Sequence, residues 1–342
     1  MRGPGTAPLE PGPCRRRVLR LHSERSDRLV FGQGTGVLCL RNRKAISHLM
    51  LSNKIKVRPR TATLAGAILS CMVWCAIRGQ ANQNALNSSF ISLAERTQRQ
   101  NKLGIWSSAE QTERLDPKQI AIVICDMWDN HWCRGAANRV RKLAVRMVPV
   151  LAAARQHGIL IIHAPSDTID FYKDAPERRR AEMAPQIAIP PSRHAIEPSL
   201  PIDFADGGCD TSPPDKFYKA WTRENAIIPI MPADLISTDG TEVYRNLKDR
   251  NIKTVIYVGV HANICILQRP FAIRQMRAWG LHCLLMRDLT DAMYNPRDAP
   301  YVSHERGTES VIEHIERYLA PYILSTDFVM SLGLPPAHPA SH

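Results

Sequence analysis

The strongest constraint on this chain is a pair of apolar runs that each stop at a chemically active residue. Val258-Gly-Val-His-Ala-Asn-Ile-Cys265 reads as a strand that ends in a tight turn and delivers a cysteine. Far upstream, Ile120-Ala-Ile-Val-Ile-Cys125 is continuously apolar, as expected of a strand buried on both faces, and it stops at Asp126. In an open parallel sheet, ligands bind outside the carboxyl ends of the strands. A strand-end aspartate and a strand-end cysteine can therefore share one crevice despite their separation in sequence. The combination suits an acid/base group beside a nucleophile.

The rest of the chain alternates helical and strand periods. Val140, Leu143, Met147, Leu151 and Ala154 recur with helical spacing between Asn138 and His157. Gly158 supplies a stop, and Pro149 is expected to kink or divide this helix. Ile159 to Ile162 reads as the next parallel strand. Asp239-Gly-Thr-Glu242 makes a capping-box-like start for a helix with Val243, Tyr244 and Leu247 on its apolar face. There follow a strand at Thr254 to Val260, a helix carrying Cys265, a strand at Leu281 to Met286, a helix from about Glu305 to Leu319, and an edge strand near Ile323. The pattern predicts an α/β fold: a Rossmann-like, doubly wound, mostly parallel sheet with helices on both faces. Its domain spans 116–326, and the proline-rich stretch 164–225 is an irregular insertion near the site. Residues 82–115 are polar and weakly patterned, expected as an arm lying on the domain. Residues 327–342 are expected to form a disordered tail.

The net charge of +13 would suit a nucleic-acid binder if it lay on the folded domain. It does not. Residues 1–60 hold 14 lysines and arginines against 3 acidic residues, and the remainder holds 31 against 29. We therefore expect no nucleic-acid partner, and read 1–49 as an unstructured or mis-called extension. Thr61 to Ile77 is uncharged, follows Lys54, Lys56, Arg58 and Arg60, and precedes Arg78-Gly-Gln-Ala81. A basic start, a short apolar run and a small-x-small site describe a secretory signal over 50–81. Export to the periplasm is the expectation, with membrane contact only through the signal; anchoring through 61–77 is the alternative. The run is shorter than the ~20 residues that comfortably span a bilayer.

Nine cysteines are present, and Cys125, Cys133, Cys209, Cys265 and Cys283 lie beyond the signal segment. An odd count in an exported chain implies at least one free thiol. Cys125 and Cys283 sit in apolar strands and read as inert core residues. Cys133 and Cys209 lie in loop-like sequence; their pairing would leave Cys265 as the working thiol, but sequence does not fix connectivity. Cys265 at a strand–helix junction has a helix start beside it, which favours a thiolate, and amide N–H groups that can face an oxyanion.

Strand-Asp126, the turn Gly259-Val260-His261-x-x-x-Cys265 and the downstream strand reaching Asp288, in that order, resemble the isochorismatase-like cysteine hydrolases. That group includes nicotinamidases, N-carbamoylsarcosine amidohydrolases and isochorismatases. The segments Arg269-Pro-Phe-Ala-Ile-Arg-Gln-Met276 and Arg287 to Pro296 look like a separate bacterial branch. The resemblance implies a small-molecule substrate with an amide- or ureide-type C–N bond. Cys265 would be the nucleophile and Asp126 the general acid/base. It also implies a cis peptide at Val260–His261 that aims the backbone N–H groups of His261 and Cys265 at one oxyanion. A homo-oligomer is expected on the same ground.

Three departures qualify the resemblance. The family's lysine has no counterpart in Ala226 to Asp234; Lys219 in Phe-Tyr-Lys-Ala-Trp221 is the substitute candidate. The metal-binding Asp-x-His of nicotinamidases is missing from His163-Ala-Pro-Ser-Asp-Thr168, so no metal and no cofactor are expected, and His163 reads as a hydrogen-bonded strand-end histidine. The export signal is the third. If Pro270 breaks the helix after Cys265, Arg269 can turn into the crevice and hold a substrate carboxylate. Trp128, Trp132 and Trp221 are candidate pocket walls. The alternative reading is a catalytically silent exported protein of this fold that binds a small ligand or partner. N-terminal sequencing of the native protein should begin at Asn82; a start well before residue 50 would overturn the mis-called extension.

Overall fold

The computed structural model describes residues 90–335. The extension 1–49, the signal-like segment 50–81 and residues 336–342 lie outside the described residues. The chain opens with strands β1 (Ile91–Gln100), β2 (Trp106–Leu115) and β3 (Ile120–Cys125), then helix α1 (Arg134–Gln156) and strand β4 (Leu160–Ala164). Helix α2 (Pro176–Glu182), strand β5 (Leu235–Ile236), helix α3 (Gly240–Asp249) and strand β6 (Thr254–Val260) follow. Helices α4 (Cys265–Gln268) and α5 (Ile273–Ala278) lead to strand β7 (His282–Asp291) and helix α6 (His304–Tyr318). Strand β8 (Tyr322–Ile323) and helix α7 (Ser325–Ser331) complete the order.

Eight strands make one sheet in the order β2-β1-β8-β7-β6-β3-β4-β5. The six from β8 to β5 are parallel to one another, while β1 runs antiparallel to β8 and β2. Side chains alternate across the sheet. Ala121, Val123, Val255, Tyr257 and Leu285 face one core with α3, α5 and α6. Ile120, Ile122, Ile124, Ile256, Val258 and Leu284 face the other with α1 and α7. Both faces are covered, so the central strands are apolar throughout. This is the doubly wound α/β arrangement.

Several expectations need correction. Residues 91–115 are a hairpin that extends the sheet, not an arm. Its sequence looked unpatterned because β2 is largely solvent-facing and only Ile91, Leu93 and Glu95 alternate into the interior. Residues 327–335 are not a disordered tail: Phe328 and Val329 of α7 are buried against the core. Tyr322–Ile323 is an internal strand between β7 and β1, because the hairpin occupies the edge. Pro149 does not divide α1, which runs 23 residues. The carbonyl four residues earlier belongs to exposed Val145, where water can satisfy it. The start of α3 uses half a capping box: Asp239 accepts the Glu242 N–H at 2.8 Å, worth about 1 kcal/mol, while the Glu242 side chain turns to Arg178.

Two local features pin the rim where β3, β4 and β6 end. Gly259 pairs with Cys125 at φ +109°, where a Cβ would strike the Cys125 backbone. The second feature is His163 of β4, fully buried, which bonds Glu224 at 2.6 Å and Asp234 at 3.0 Å. These contacts tether 224–234 to the sheet. Burial opposes charge on His163, but the two carboxylates outweigh it and raise its pKa to about 9.

Gly259→Ala should lose on the order of 3 kcal/mol or fail to fold, read by urea denaturation. For His163, the folded pKa lies above the ordinary value of ~6.5. Its contribution is fully present below that pH and is lost as pH rises through about 9. Urea midpoints should therefore fall between pH 6 and 9.5, by on the order of 3 kcal/mol, and His163→Gln should flatten that decline.

Candidate active site

The topology places β6 beside β3, so Asp126 and Cys265 leave adjacent strand ends. Asp126 follows β3 in the left-handed region (φ 47°), which turns its buried side chain back toward the rim. Its N–H donates to the Ala164 carbonyl at 3.1 Å, and its Oδ1 accepts the Ser166 N–H at 2.7 Å. Arg269 Nε donates to Asp126 Oδ2 at 2.9 Å, while Arg269 also pairs with Asp167 at 3.1 Å. The Cys265 thiol and the Asp126 carboxyl lie near enough to perturb each other's ionisation, and the His261 backbone N–H acts on the same thiol.

Arg269 reaches Asp126 because α4 is a single turn. Pro270 follows, and Arg269 itself takes an extended conformation (φ −60°, ψ 153°). The turn before α4 is fixed by side-chain and backbone bonds. Ala262 N–H donates to the Asp291 carbonyl at 2.8 Å, and buried Asn263 makes reciprocal bonds with the Met293 backbone at 2.8 and 3.0 Å. Asp291 is in turn held by Arg139 at 2.8 Å and His304 at 2.8 Å. The Val260–His261 peptide is cis.

Burial raises the Asp126 pKa, opposed chiefly by Arg269 and by bonds from Cys265 and Ser166. Burial and the Asp126 charge push the Cys265 thiol well up, despite Arg269. The expected thiolate at a helix start is therefore not the resting state. A single turn carries little dipole, and Cys265 is only 5% exposed. The neighbouring histidines do not supply a proton charge either. Burial lowers His261 to about 3 and His131 to about 4.

Lys219 is not at the pair: its exposed amine donates to the Asp167 carbonyl at 2.9 Å, at the outer rim. The cation touching Asp126 is Arg269, which the sequence marked for substrate instead. The sequence reading missed the Ser166 N–H and Asp167, since backbone donors and loop acids carry no sequence signature. Asp288 lies away from the pair; it accepts from Ser325 at the start of α7 and pairs with Arg146. Trp128 and Trp221 stack at 4.4 Å, with His131 against Trp221 at 5.7 Å and edge-on to His261 at 5.2 Å. Together these rings form an aromatic wall beside the turn.

Cys133 and Cys209 form a disulfide, with Cα atoms 5.6 Å apart. Asp215 lies close enough to make a metal-like cluster with them, but joined sulfurs are not thiolate ligands. Cys125 and Cys283 are buried and free, and burial raises both thiols. A cavity of about 450 Å³ is lined by Gln268, Arg269 and Arg274; Asp126 and Cys265 do not line it. Arg269 stands between that cavity and the carboxylate.

Comparison with solved structures finds several chains of distant similarity. A cysteine hydrolase from Pseudomonas syringae pv. phaseolicola is 15% identical over 64% of this chain and 94% of its own, with a TM-score of 0.42. An isochorismatase family protein from Burkholderia thailandensis is 14% identical over 64% and 97%, at 0.39. N-carbamoylsarcosine amidase from Thermoplasma acidophilum is 14% identical over 60% and 96%, at 0.31. No family model and no curated relative matches the sequence.

Proposed function

We propose that this protein is a cysteine hydrolase that cleaves a small amide- or ureide-type C–N bond. The observation that carries the reading is a buried carboxyl, Asp126, ion-paired with Arg269 and close enough to the free Cys265 thiol that each perturbs the other's ionisation. The Asp126 carboxylate accepts the thiol proton as the Cys265 sulfur attacks the carbonyl carbon. The resulting oxyanion faces the backbone N–H groups of His261 and Cys265. Protonated Asp126 then gives the proton to the leaving nitrogen, the C–N bond breaks, and a thioester remains. Water attacks the thioester with Asp126 again as base, which releases the acid and restores the thiol.

Arg269 keeps the carboxylate ionisable in a place where burial alone would hold it protonated. In this arrangement it acts as the charge partner that the third position requires, while Lys219 serves the rim. The second reading, a silent ligand-binding protein, is favoured by one fact: the thiol is nearly enclosed. Export and self-association are proposals that accompany the first reading and rest on sequence alone.

Iodoacetamide separates the two readings. A hydrolase should show one fast-reacting thiol at Cys265, slowed about a hundredfold in Asp126→Asn, with Cys265→Ala inactive across an amide and ureide panel. Equal, slow labelling of Cys125, Cys265 and Cys283, the free thiols among the described residues, would sink the hydrolase. Because Asp126 must be ionised to act as base, reactivity should fall as pH drops through its pKa, above the ordinary ~3.9. Arg269→Gln should move that acid limb upward by about one pH unit or more.

A further inference from the structure

We infer that the groove running from Arg269 along α5 is an anion site that seats a carboxylate- or phosphate-bearing tail of the substrate. This deepens the hydrolase reading and rests on it. The cavity beside Arg269 continues into a second of about 460 Å³, and the two share His194 and Arg274. Each has the size of an ordinary small-ligand pocket. Arg193 and Arg277 line the second cavity, so positive side chains follow the groove over its length.

Glu197 is the groove's only acidic lining residue, and its carboxylate is already occupied. One oxygen takes Arg274 Nε at 2.6 Å, and the other takes His314 Nε2 at 2.8 Å. Arg193 makes no side-chain hydrogen bond or ion pair among the described residues. Arg277 donates one nitrogen to the Tyr318 carbonyl at 2.9 Å and meets no carboxylate among the described residues. Two uncompensated guanidinium groups therefore face one concave surface. Guanidinium groups recognise carboxylates and phosphates through paired N–H donors, which sets the ligand class.

The wall opposite α5 is held in place, so the groove is a formed feature. Arg193 N–H donates to the Ala278 carbonyl at 3.1 Å, and Gln275 Nε2 bonds Ser192 Oγ at 3.0 Å. Arg274 and Arg277 are three residues apart and share a helix face. Arg269 joins the groove to the reacting pair, since it lines the first cavity and bonds Asp126. A substrate with its carbonyl at Cys265 can thus extend an anionic end past Arg269 toward Arg193 and Arg277.

Isothermal titration calorimetry on the full chain with citrate and with pyrophosphate tests this without turnover. At least one anion should bind saturably, and the stronger of the two assigns the tail to carboxylate or phosphate. The Kd should rise about tenfold or more in Arg193→Gln/Arg277→Gln, stay near wild type in Cys265→Ser, and recover in part in the Lys/Lys variant. The bound anion should also slow iodoacetamide at Cys265 in wild type and not in the double Gln variant. Absence of saturable binding, or equal affinity in the double variant, overturns the anion site. Saturable binding that leaves labelling of Cys265 unchanged overturns its service to the active site. If Cys265 proves inert, the hydrolase reading fails while calorimetry still decides the groove. Should the double variant unfold by circular dichroism, Arg193→Gln alone, on an exposed loop, carries the test.

Discussion

The ion pair between Arg269 and buried Asp126 is the contact on which the rim depends. A carboxylate taken fully out of water loses several kcal/mol of solvation. A guanidinium about 3 Å away at an effective dielectric near 20 returns on the order of 5 kcal/mol. The two effects nearly cancel, which explains why the Asp126 pKa is raised and yet the group remains usable as a base. The Ser166 N–H and the Cys265 thiol add donors to the same carboxyl. Remove the cation and burial prevails; remove the burial and the thiol no longer meets a strong base.

That balance requires four chain segments to arrive together. The αL turn at Asp126 follows β3, Ala164 ends β4 and Ser166 lies just beyond it. The Cys265 turn follows β6 and is bonded to Asp291, which ends β7, and to Met293 just beyond it. Gly259 permits the closest approach, because any Cβ there would collide with Cys125. The His163 clamp then draws 224–234 against β4, which brings the Trp221 side of the insertion over the rim. Core packing sets the strand order, and strand order brings the catalytic candidates together.

Much of this was legible in the sequence because strands buried on both faces write themselves as apolar runs. Ile120–Cys125 and Thr254–Val260 named the two strand ends, and the residues just beyond them are in contact. Pattern failed where burial is one-sided or brief. The hairpin 91–115 is mostly polar because one strand of it faces water, and the two-residue strand at Tyr322 is too short to show a period. Pro270 marks the break that turns Arg269 into the crevice, and the helix does end there. The sequence assigns Arg269 to a substrate carboxylate; that it pairs with Asp126 instead depends on the meeting of two distant strand ends, which no local pattern encodes.

The state of the resting thiol follows from the same electrostatics. Burial keeps the imidazoles of His131 and His261 neutral. The thiol itself is pushed up by burial and by the adjacent carboxylate. Under the proposed hydrolase reading, the nucleophile forms during attack, as the thiol proton passes to Asp126. Such a transfer becomes easier as charge moves from sulfur to the carbonyl oxygen, where backbone N–H groups can receive it. Carbonyl addition is a reaction that moves charge in this way.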